Sequence, residues 1–362
     1  MEQFDETVIE FLEGSAPLPR TTFGAIDETA FGNNSGPGTA EPSNTNSIYA
    51  LASCTEFITT ITALPLKDPQ ILSFNEADQP IFRPANNVIT LRHLLTHTSG
   101  MAYPFDSQVL LKYQTLTGPS PAKPETIKDA YKMFLVNEPG EIWMNSPGIE
   151  WAGVMVERTC GMSLSDYVQM SIFRHLGIKD MTFHIEKRPD LQHRLANFWQ
   201  YKADRSLQVE DERFLPYTVI DDFGGSGLYG SAEDFLKICS AILRGDERVL
   251  SIETVQQIFT PQLESTAGLG VSWLSPNPGN ICGIPQGADI NFGLGGFLNL
   301  SKISGRRQAK SIAWSGLRNP HFWIDLRSGL AGVQLMHFHP TGDKRAIELL
   351  WRFEEAVYSA QI

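Results

Sequence analysis

Cysteine is scarce in this sequence, and its spacing disfavours the common uses of paired thiols. The 362 residues contain four cysteines, Cys54, Cys160, Cys239 and Cys282, and no two of them form a C-x-x-C pair. Closely spaced cysteines are typical of zinc sites, and recurring even sets are typical of disulfide frameworks. We therefore expect no metal, no cofactor, and a reduced chain in the cytoplasm.

An excess of positive charge and long apolar runs are also lacking. The formal net charge is −12, which argues against nucleic acid or an anionic membrane as the natural partner. No apolar run approaches the roughly 20 residues that a membrane span requires. The first six residues, MEQFDE, are too acidic for a signal peptide. These features predict a cytoplasmic protein without a membrane or nucleic-acid partner.

The remaining composition is that of an ordinary globular protein, with 42% hydrophobic and 19% charged residues. Its length suits one large domain or two smaller ones that share a core. The first 20 residues predict an acidic amphipathic helix whose apolar side consists of Phe4, Val8, Ile9, Phe11 and Leu12. The last third of the chain predicts strands at 293–300, 311–314, 321–325 and 330–338, followed by a helix at 344–358.

Residues 49–60, YALASCTEFITT, lead through small residues to a serine at the start of a helix. In a first turn, the Oγ of Ser53 lies near unpaired backbone N–H groups and the positive end of the helix dipole. Glu56 follows three residues later, on the same helix face. Serine enzymes that acylate through an S-x-x-K pair have a lysine at that position. This sequence has a carboxylate where an amine is expected.

Four segments in order resemble the serine β-lactamase/penicillin-binding-protein superfamily, in particular its class C β-lactamase-like esterases and fungal lovastatin-type acyltransferases. They are the Ser53 helix, 89–100 (ITLRHLLTHTSG), 224–230 (GGSGLYG) and 314–320 (WSGLRNP). The resemblance implies a β-lactamase/transpeptidase-like α+β fold, with an antiparallel sheet flanked by helices and an inserted helical domain. We place the α/β domain at 1–64 and 218–362, the mainly helical domain at 65–217, and the active site in the cleft between them.

The resemblance implies that Ser53 is the nucleophile that forms an acyl-enzyme. Glu56 takes the place of the catalytic lysine, and Asn145 takes the place of the catalytic tyrosine. A carboxylate near neutral pH accepts the serine proton only if burial raises its pKa, and asparagine cannot transfer a proton. The alternatives are a Ser53 that only caps a helix, and a Glu56 that is either the working acid or base or a remnant in a degenerate site.

Trp314, Ser315 and Gly316 occupy the third motif of the family, where a backbone N–H joins that of the nucleophile in an oxyanion hole. The alternative without a catalytic role is an interior strand whose glycine permits close packing. Together with Trp143 and His337, these residues are the predicted substrate-binding residues.

The histidines receive mainly structural interpretations. His93 and His97 lie in a segment typical of the family and are predicted to be packing residues. His321, His337 and His339 are each interpreted as structural, although any of them could supply the imidazole base that the altered site lacks.

Two hypotheses of function follow. The first is an enzyme acting on a small molecule of fungal secondary metabolism, polyketide-like in character, with an acyl-carrier or acyl-thioester donor as a candidate partner. Its reaction is acyl transfer or ester hydrolysis at Ser53, or a non-covalent cyclisation, elimination or isomerisation that uses Glu56. The second is a catalytically inactive binding or scaffold protein. On the enzyme hypothesis, we expect the reaction to depend on Glu56 more than on Ser53.

Overall fold

The computed structural model describes residues 2–13, 16–27, 31–35, 45–60, 70–118, 123–132, 134–210, 218–269 and 281–360. The helices are α1 (Glu2–Glu13), α2 (Thr55–Thr60), α3 (Leu91–Leu95), α4 (Gln108–Thr117), α5 (Ile127–Ala130), α6 (Gly148–Cys160), α7 (Leu164–Val168), α8 (Arg174–Leu176), α9 (Pro189–Gln192), α10 (Ala232–Leu243), α11 (Ile252–Ile258) and α12 (Lys344–Ala360). The strands are β1 (Thr22–Ile26), β2 (Phe31–Ser35), β3 (Ile48–Ala50), β4 (Gln70–Phe74), β5 (Pro80–Pro84), β6 (Phe134–Leu135), β7 (Met181–Thr182), β8 (Trp199–Tyr201), β9 (Leu207–Val209), β10 (Tyr229–Ser231), β11 (Ile290–Phe292), β12 (Phe297–Asn299), β13 (Ile312–Ser315), β14 (His321–Asp325), β15 (Leu330–Leu335) and β16 (Phe338–His339).

Within the described residues, the largest sheet has seven antiparallel strands in the order β11-β12-β13-β14-β15-β1-β2. The two halves of the chain meet in it, because β1 pairs with β15 and Thr22 lies opposite Leu335. Strands β14 and β15 are buried along their whole length, so helices have to cover both faces of the sheet. The predicted α+β fold, with an antiparallel sheet flanked by helices, is confirmed.

Aromatic side chains attach these helices to the sheet. On one face, Phe4 of α1 and Phe353 of α12 pack against Phe23 of β1, with ring centroids 5.3 Å and 4.8 Å from it. On the other face, Phe235 of α10 lies 5.2 Å from Phe322 of β14. Large apolar rings of this kind bury the most area per side chain in a core, so they fix how α1, α10 and α12 lie on the sheet.

The expected periodicity at the two ends of the chain is largely confirmed. In α1, Phe4, Val8 and Phe11 are buried, but Ile9 is 37% exposed, so its predicted place on the buried side is wrong. The predicted strand at 293–300 is too long at its start, because Gly293 donates its N–H to the carbonyl of Gly296 and closes a turn. The predicted final helix matches α12.

Serine and threonine begin several of the helices. In each case the side-chain oxygen accepts a backbone N–H from three residues further on, which satisfies one of the unpaired donors at a helix start. These cap residues are Thr90, Ser107, Thr126, Ser163, Ser231 and Ser251.

Three smaller sheets complete the described strands, in the orders β3-β10-β7, β16-β8-β9 and β5-β4-β6. Strand β3 leads directly to Ser53, and it is held by pairing with β10. Strands β7 and β8 lie in the stretch that the sequence assigns to the inserted domain, yet they pair with β10 and β16 of the other part. The division of the chain into 1–64 with 218–362 and 65–217 therefore stays a prediction. No helix in the described part of the chain is long and apolar enough to cross a membrane.

Candidate active site

Ser53 lies in a tight turn between β3 and α2. A single 3-10 turn, Ala52–Cys54, precedes the α-helix, and Ala52 has a φ of +45°. A left-handed φ is unfavourable for an L-residue and recurs where the surrounding structure imposes it. The turn presents Ser53, which is half-buried, beside neighbours that are buried. The sequence correctly placed this serine at a helix start.

The end of β13 packs tightly against this turn. A Cβ added to Gly316 would lie 2.8 Å from Ala52 Cβ and 2.9 Å from the backbone nitrogen of Ser53, so only glycine fits there. The N–H of Gly316 is already donated to the carbonyl of Pro320 at 2.9 Å. By contrast, the N–H groups of Ser53 and Leu317 donate no hydrogen bond to any described residue. Leu317, which the sequence interpretation did not single out, thus provides a free N–H next to the serine turn.

Glu56 is enclosed directly behind Ser53. The residue is 1% exposed, and its Oε2 lies 3.0 Å from His97 Nε2. Burial raises the pKa of the Glu56 carboxyl, while the contact with His97 opposes that rise, and the side chains of Trp314 and Ser53 oppose it more weakly. The Oε1 atom is buried and makes no well-formed hydrogen bond with a described residue. The site therefore holds a carboxyl whose two oxygens differ in their partners.

His97 connects Glu56 to the segment that carries Asn145. The backbone N–H of Ser146 donates to Nδ1 of His97 at 3.2 Å, and the Oγ of Ser146 lies 3.3 Å from the same nitrogen. The ring stacks on Trp314, with centroids 5.6 Å apart. The prediction that His97 packs is confirmed, but the prediction missed its hydrogen bond to Glu56. The signal for this bond in the sequence was a histidine in a family segment together with an unexpected carboxylate at position 56, because a buried carboxylate needs a polar partner.

Trp143 and Trp314 form an aromatic wall around this pair. Their side chains are buried and contact Phe292 and Phe297, with centroid distances between 5.2 and 5.7 Å. They enclose the Glu56–His97 pair, which is the apolar lining that a carboxyl with a raised pKa needs. Their predicted contact with a substrate stays a prediction.

Asn145 and Ser315 are the other predicted site residues near this wall. Asn145 is half-buried, and its Oδ1 has no hydrogen-bond partner among the described residues. Its carbonyl accepts the N–H of Tyr103 at 3.4 Å, so the backbone of Asn145 is tied to that segment, and its role toward a substrate stays a prediction. The Oγ of Ser315 lies 3.4 Å from Cys282 Sγ, so this hydroxyl already has a protein neighbour.

His337, which the sequence predicted to bind substrate, has its ring nitrogens bonded within the protein. It is buried, its Nε2 accepts the N–H of Ala50 at 2.8 Å, and its Nδ1 donates to the carbonyl of Ala196 at 3.1 Å. The ring also stacks on Phe198 with centroids 4.1 Å apart. Because both ring nitrogens are occupied, none is left for a ligand. These bonds favour the structural alternative.

Two further histidines lie outside the candidate relay. His93 caps α3, where its Nδ1 accepts the N–H of Thr90. His321 is buried, and neither of its ring nitrogens has a hydrogen-bond partner among the described residues. Burial, and then the nearby Arg307 charge, lower the pKa of His321 to about 3, so this ring is neutral. Of the histidines considered in the sequence, His97 is the one in contact with Glu56.

A second buried carboxyl, missed by the sequence interpretation, lies in the same region. Glu150 of α6 accepts the N–H of Gly225 at 2.8 Å and the hydroxyl of Ser226 at 2.9 Å. Burial raises the pKa of Glu150 to about 8, and the negative charge of Glu56 adds to that rise. The glycine-rich run is required here, because a Cβ on Gly225 would lie 2.9 Å from the Glu150 carboxyl.

A cavity of about 290 Å³ lies in the helical part of the chain. Its walls are mainly apolar and aromatic and are formed by Ala102, Pro104, Leu110, Tyr113, Gln114, Thr117, Gly118, Ala130, Tyr131, Lys132 and Phe134. Among the described residues, no group of three or more His, Cys, Asp or Glu side chains is arranged to hold a metal ion.

Comparison with known proteins places this site in a family. The sequence profile described as Beta-lactamase matches residues 28–355. The ML-236A carboxylate methylbutanoyltransferase of Penicillium citrinum is 29% identical over 334 residues, which cover 85% of this chain and 80% of that protein. The lovastatin esterase of Penicillium rubens is 30% identical over 331 residues, which cover 82% of this chain and 81% of that protein.

A solved structure agrees with these sequence relationships. A mutant of simvastatin synthase from Aspergillus terreus superposes with a TM-score of 0.88 at 28% identity, covering 99% of this chain and 97% of that one. The described chain thus has the fold of hydrolases and acyltransferases. From the sequence match and this fold together, we conclude that the chain belongs to the β-lactamase family, with similarity to fungal acyltransferases and esterases.

Proposed function

We propose that this chain is an acyltransferase or esterase that forms an acyl-enzyme at Ser53 and acts on a polyketide-like small molecule. The observation that carries the proposal is a difference in exposure. Ser53 is half-buried and accessible, whereas Glu56 behind it is 1% exposed. A substrate reaches Ser53 first, so Glu56 acts through Ser53. This favours the covalent route over a non-covalent reaction at Glu56.

Glu56 is the base of the proposed reaction. As Ser53 Oγ attacks the carbonyl carbon of the donor, its proton passes to the Glu56 carboxylate. The new C–O bond forms, the C–S or C–O bond of the donor breaks, and the leaving group takes the proton from Glu56. An acceptor hydroxyl or water then attacks the acyl carbon and gives its proton to Glu56; the bond between the acyl carbon and Ser53 Oγ breaks, and Oγ takes that proton from Glu56, which restores the carboxylate.

The oxyanion hole in this proposal consists of the free backbone N–H groups of Ser53 and Leu317. Backbone donors aimed at a developing oxyanion are worth several kcal/mol, and their loss costs about 10²–10³ in rate. Glu56 becomes neutral as the negative charge forms on the substrate oxygen. The site therefore carries one negative charge at each stage, and no repulsion between two anions opposes the attack.

Asn145 serves in this scheme as a hydrogen-bonding residue. Its amide donates to the carbonyl or to the leaving atom, and it supplies no proton. Proton transfer then depends on Glu56 alone, in contrast to a site that has both a lysine and a tyrosine.

The names of the relatives support the substrate class. They act on ML-236A carboxylate and on lovastatin, which suggests an apolar ring system for this chain too. We take the cavity of about 290 Å³ as the site for the apolar part of that molecule. The acyl group comes from an acyl-carrier or acyl-thioester donor, and water replaces the acceptor in the esterase reaction.

The test is direct detection of the acyl-enzyme. The protein is mixed with a p-nitrophenyl ester or an acyl thioester and is examined by intact mass spectrometry and peptide mapping. We expect an adduct on Ser53 that is absent in Ser53→Ala and present in Cys54→Ala, because the neighbouring thiol of Cys54 is buried. Turnover that persists in a folded Ser53→Ala variant would falsify the proposal.

A further inference from the structure

We propose that His97 is a positioning residue for the acyl transfer, because its Nε2–H holds Oε2 of Glu56 and leaves Oε1 to take the proton of Ser53. The inference rests on the proposed function of Ser53 and Glu56 and adds a residue to it. His97 lies too deep to touch a substrate, since its side chain is buried behind Trp143 and Trp314.

The tautomer of His97 follows from its backbone contact. The N–H of Ser146 points at Nδ1, at 3.2 Å, so Nδ1 presents its lone pair and the ring proton is on Nε2. This proton is directed at Glu56 Oε2, 3.0 Å away. A main-chain donor thus determines which nitrogen of the ring faces the carboxylate.

The orientation of the ring is fixed by aromatic neighbours. Trp314 stacks on one side of the His97 ring with an interplanar angle of 25°, while Phe292 meets it edge-on at 85°. A side chain held by packing and by a backbone hydrogen bond keeps its partner in position without further cost at the moment of reaction. His97 therefore orients Glu56 before the substrate arrives.

The two carboxylate oxygens are left in different states. Oε2 accepts the His97 proton, whereas Oε1 is buried without a well-formed hydrogen bond to a described residue. Ser53 lies three residues before Glu56, on the same face of the helical segment. Oε1 is consequently the oxygen with lone pairs available to the Ser53 hydroxyl.

The titratable groups around Glu56 explain why the Nε2–H donor of His97 is needed to stabilise the carboxylate. Glu56 interacts electrostatically with five other titratable groups among the described residues. They are Glu150, Tyr103, Tyr131, Cys54 and Cys282. Each of them is neutral or negative, so none stabilises a carboxylate. Burial raises the pKa of Glu56, and the contact with His97 is the main opposing influence.

Two variants of the full-length protein separate the hydrogen bond from packing. His97→Phe keeps an aromatic ring but removes the donor, and His97→Gln keeps an N–H near the position of Nε2. The φ of residue 97 is +55°, so both variants bear a similar backbone cost. Ester turnover and its pH profile are measured for each.

We expect His97→Phe to lower kcat about 10- to 100-fold, as for a lost hydrogen bond to a charged group. Without the donor the Glu56 pKa rises further, so the acidic limb of kcat/KM moves up by about one pH unit. KM should be unchanged, and His97→Gln should recover most of both losses. In a Glu56→Gln background, His97→Phe should cause no further loss. An unfolded fraction lowers the amplitude of the profile but not its midpoint, so the pH readout survives partial unfolding.

A second readout does not depend on turnover. The carboxyl of Glu56 is titrated by ¹³C NMR, with its signal assigned by its loss in Glu56→Gln. A midpoint that is higher in His97→Phe than in the wild type and His97→Gln supports the inference. Equal midpoints, or equal kinetic losses in the two His97 variants, overturn it. If Ser53 is acylated and the midpoint does not move, only the role of His97 fails. If Ser53 is never acylated, the proposed function fails and takes this inference with it.

Discussion

The imidazole of His337 accepts a hydrogen bond from the backbone N–H of Ala50 at 2.8 Å, three residues before Ser53. On its other side it donates to the carbonyl of Ala196 at 3.1 Å. The ring therefore joins the strand that leads to the nucleophile to a second segment of the chain. Since an unpaired buried N–H is costly, His337 helps to hold the serine turn in place from behind.

We expect His337→Phe to destabilise the protein although it preserves ring packing. The N–H of Ala50 would be left buried without an acceptor, which costs about 1–3 kcal/mol in the free energy of unfolding. Chemical denaturation measures this change. The control is His175→Phe at an exposed position in α8, which should stay within about 0.5 kcal/mol. Equal stability of the two variants would contradict the role assigned to His337.

Replacement of Glu56 should slow the reaction, and replacement of Ser53 should abolish it. Glu56→Gln keeps the shape of the side chain but removes the base, so we expect kcat/KM to fall by about 10²–10⁴. This order reverses the dependence expected from the sequence, because the burial of Glu56 leaves Ser53 as the group that meets the substrate. The rates of ester hydrolysis by the two variants, both shown to be folded, decide whether the reaction depends more on Ser53 or on Glu56.

The pH profile of the wild type should show the raised pKa of Glu56. The base form of a carboxyl exists above its pKa, so kcat/KM should decline as pH falls through a value above the usual glutamate range of about 4.3. The profile of Glu56→Gln should lack this limb. A wild-type limb at the ordinary carboxyl value would show that another group is titrating.

Glu150 should make the protein less stable as pH rises, because its pKa is raised in the folded state. Its pKa is raised from 4.5 to about 8 in the folded state. Because the folded protein binds this proton more tightly, the stabilisation is complete below the unfolded value and is lost as pH rises towards the folded value. Relative to wild type, Glu150→Gln should therefore gain free energy of unfolding between about pH 5 and about pH 8.5. Glu247→Gln at an exposed position is the control and should show no such gain.

A bulky residue at the rim of the cavity should weaken substrate binding without affecting the chemistry. Thr117 lines the cavity at the end of α4, so Thr117→Trp should raise KM for a polyketide-like acceptor by about tenfold, with little change in acylation by a small p-nitrophenyl ester. Thr115→Trp is a matched control on the same helix. Both threonines are exposed and bond the carbonyl four residues earlier, but Thr115 does not line the cavity. Equal effects of both variants would exclude the cavity as the binding site.

Local patterns in the sequence predicted many of the helices and strands. The apolar spacing in α1 and α12, the strands β13 to β15 and the Ser53 turn depend on residues close together in the chain, and periodicity reports such structure directly. The exception in α1 is Ile9, because spacing does not reveal how wide a stripe the neighbouring element covers. Glu56 was placed beside Ser53 for the same local reason, since three residues along a helix bring two side chains to one face.

Contacts between distant segments were beyond such patterns. His97 and Glu56 are 41 residues apart, and Ala50 and His337 are 287 residues apart. Whether each histidine only packs, or also bonds to a functional group, depends on the ring rotation and on which backbone N–H groups point at it. The same limit applied to Glu150, whose partners Gly225 and Ser226 lie about 75 residues later.

The sequence by itself determined that a serine and a carboxylate stand one helical turn apart in a β-lactamase-like chain, because that relation is set by local helix geometry. The tertiary structure alone decided what this pair can do. It buried Glu56 while leaving Ser53 accessible, set His97 against one oxygen of the carboxylate, and bonded both ring nitrogens of His337 within the protein. Burial, tautomer and hydrogen-bond direction are properties of the assembled surroundings, and they set the charge and reactivity of a side chain whose identity the sequence already states.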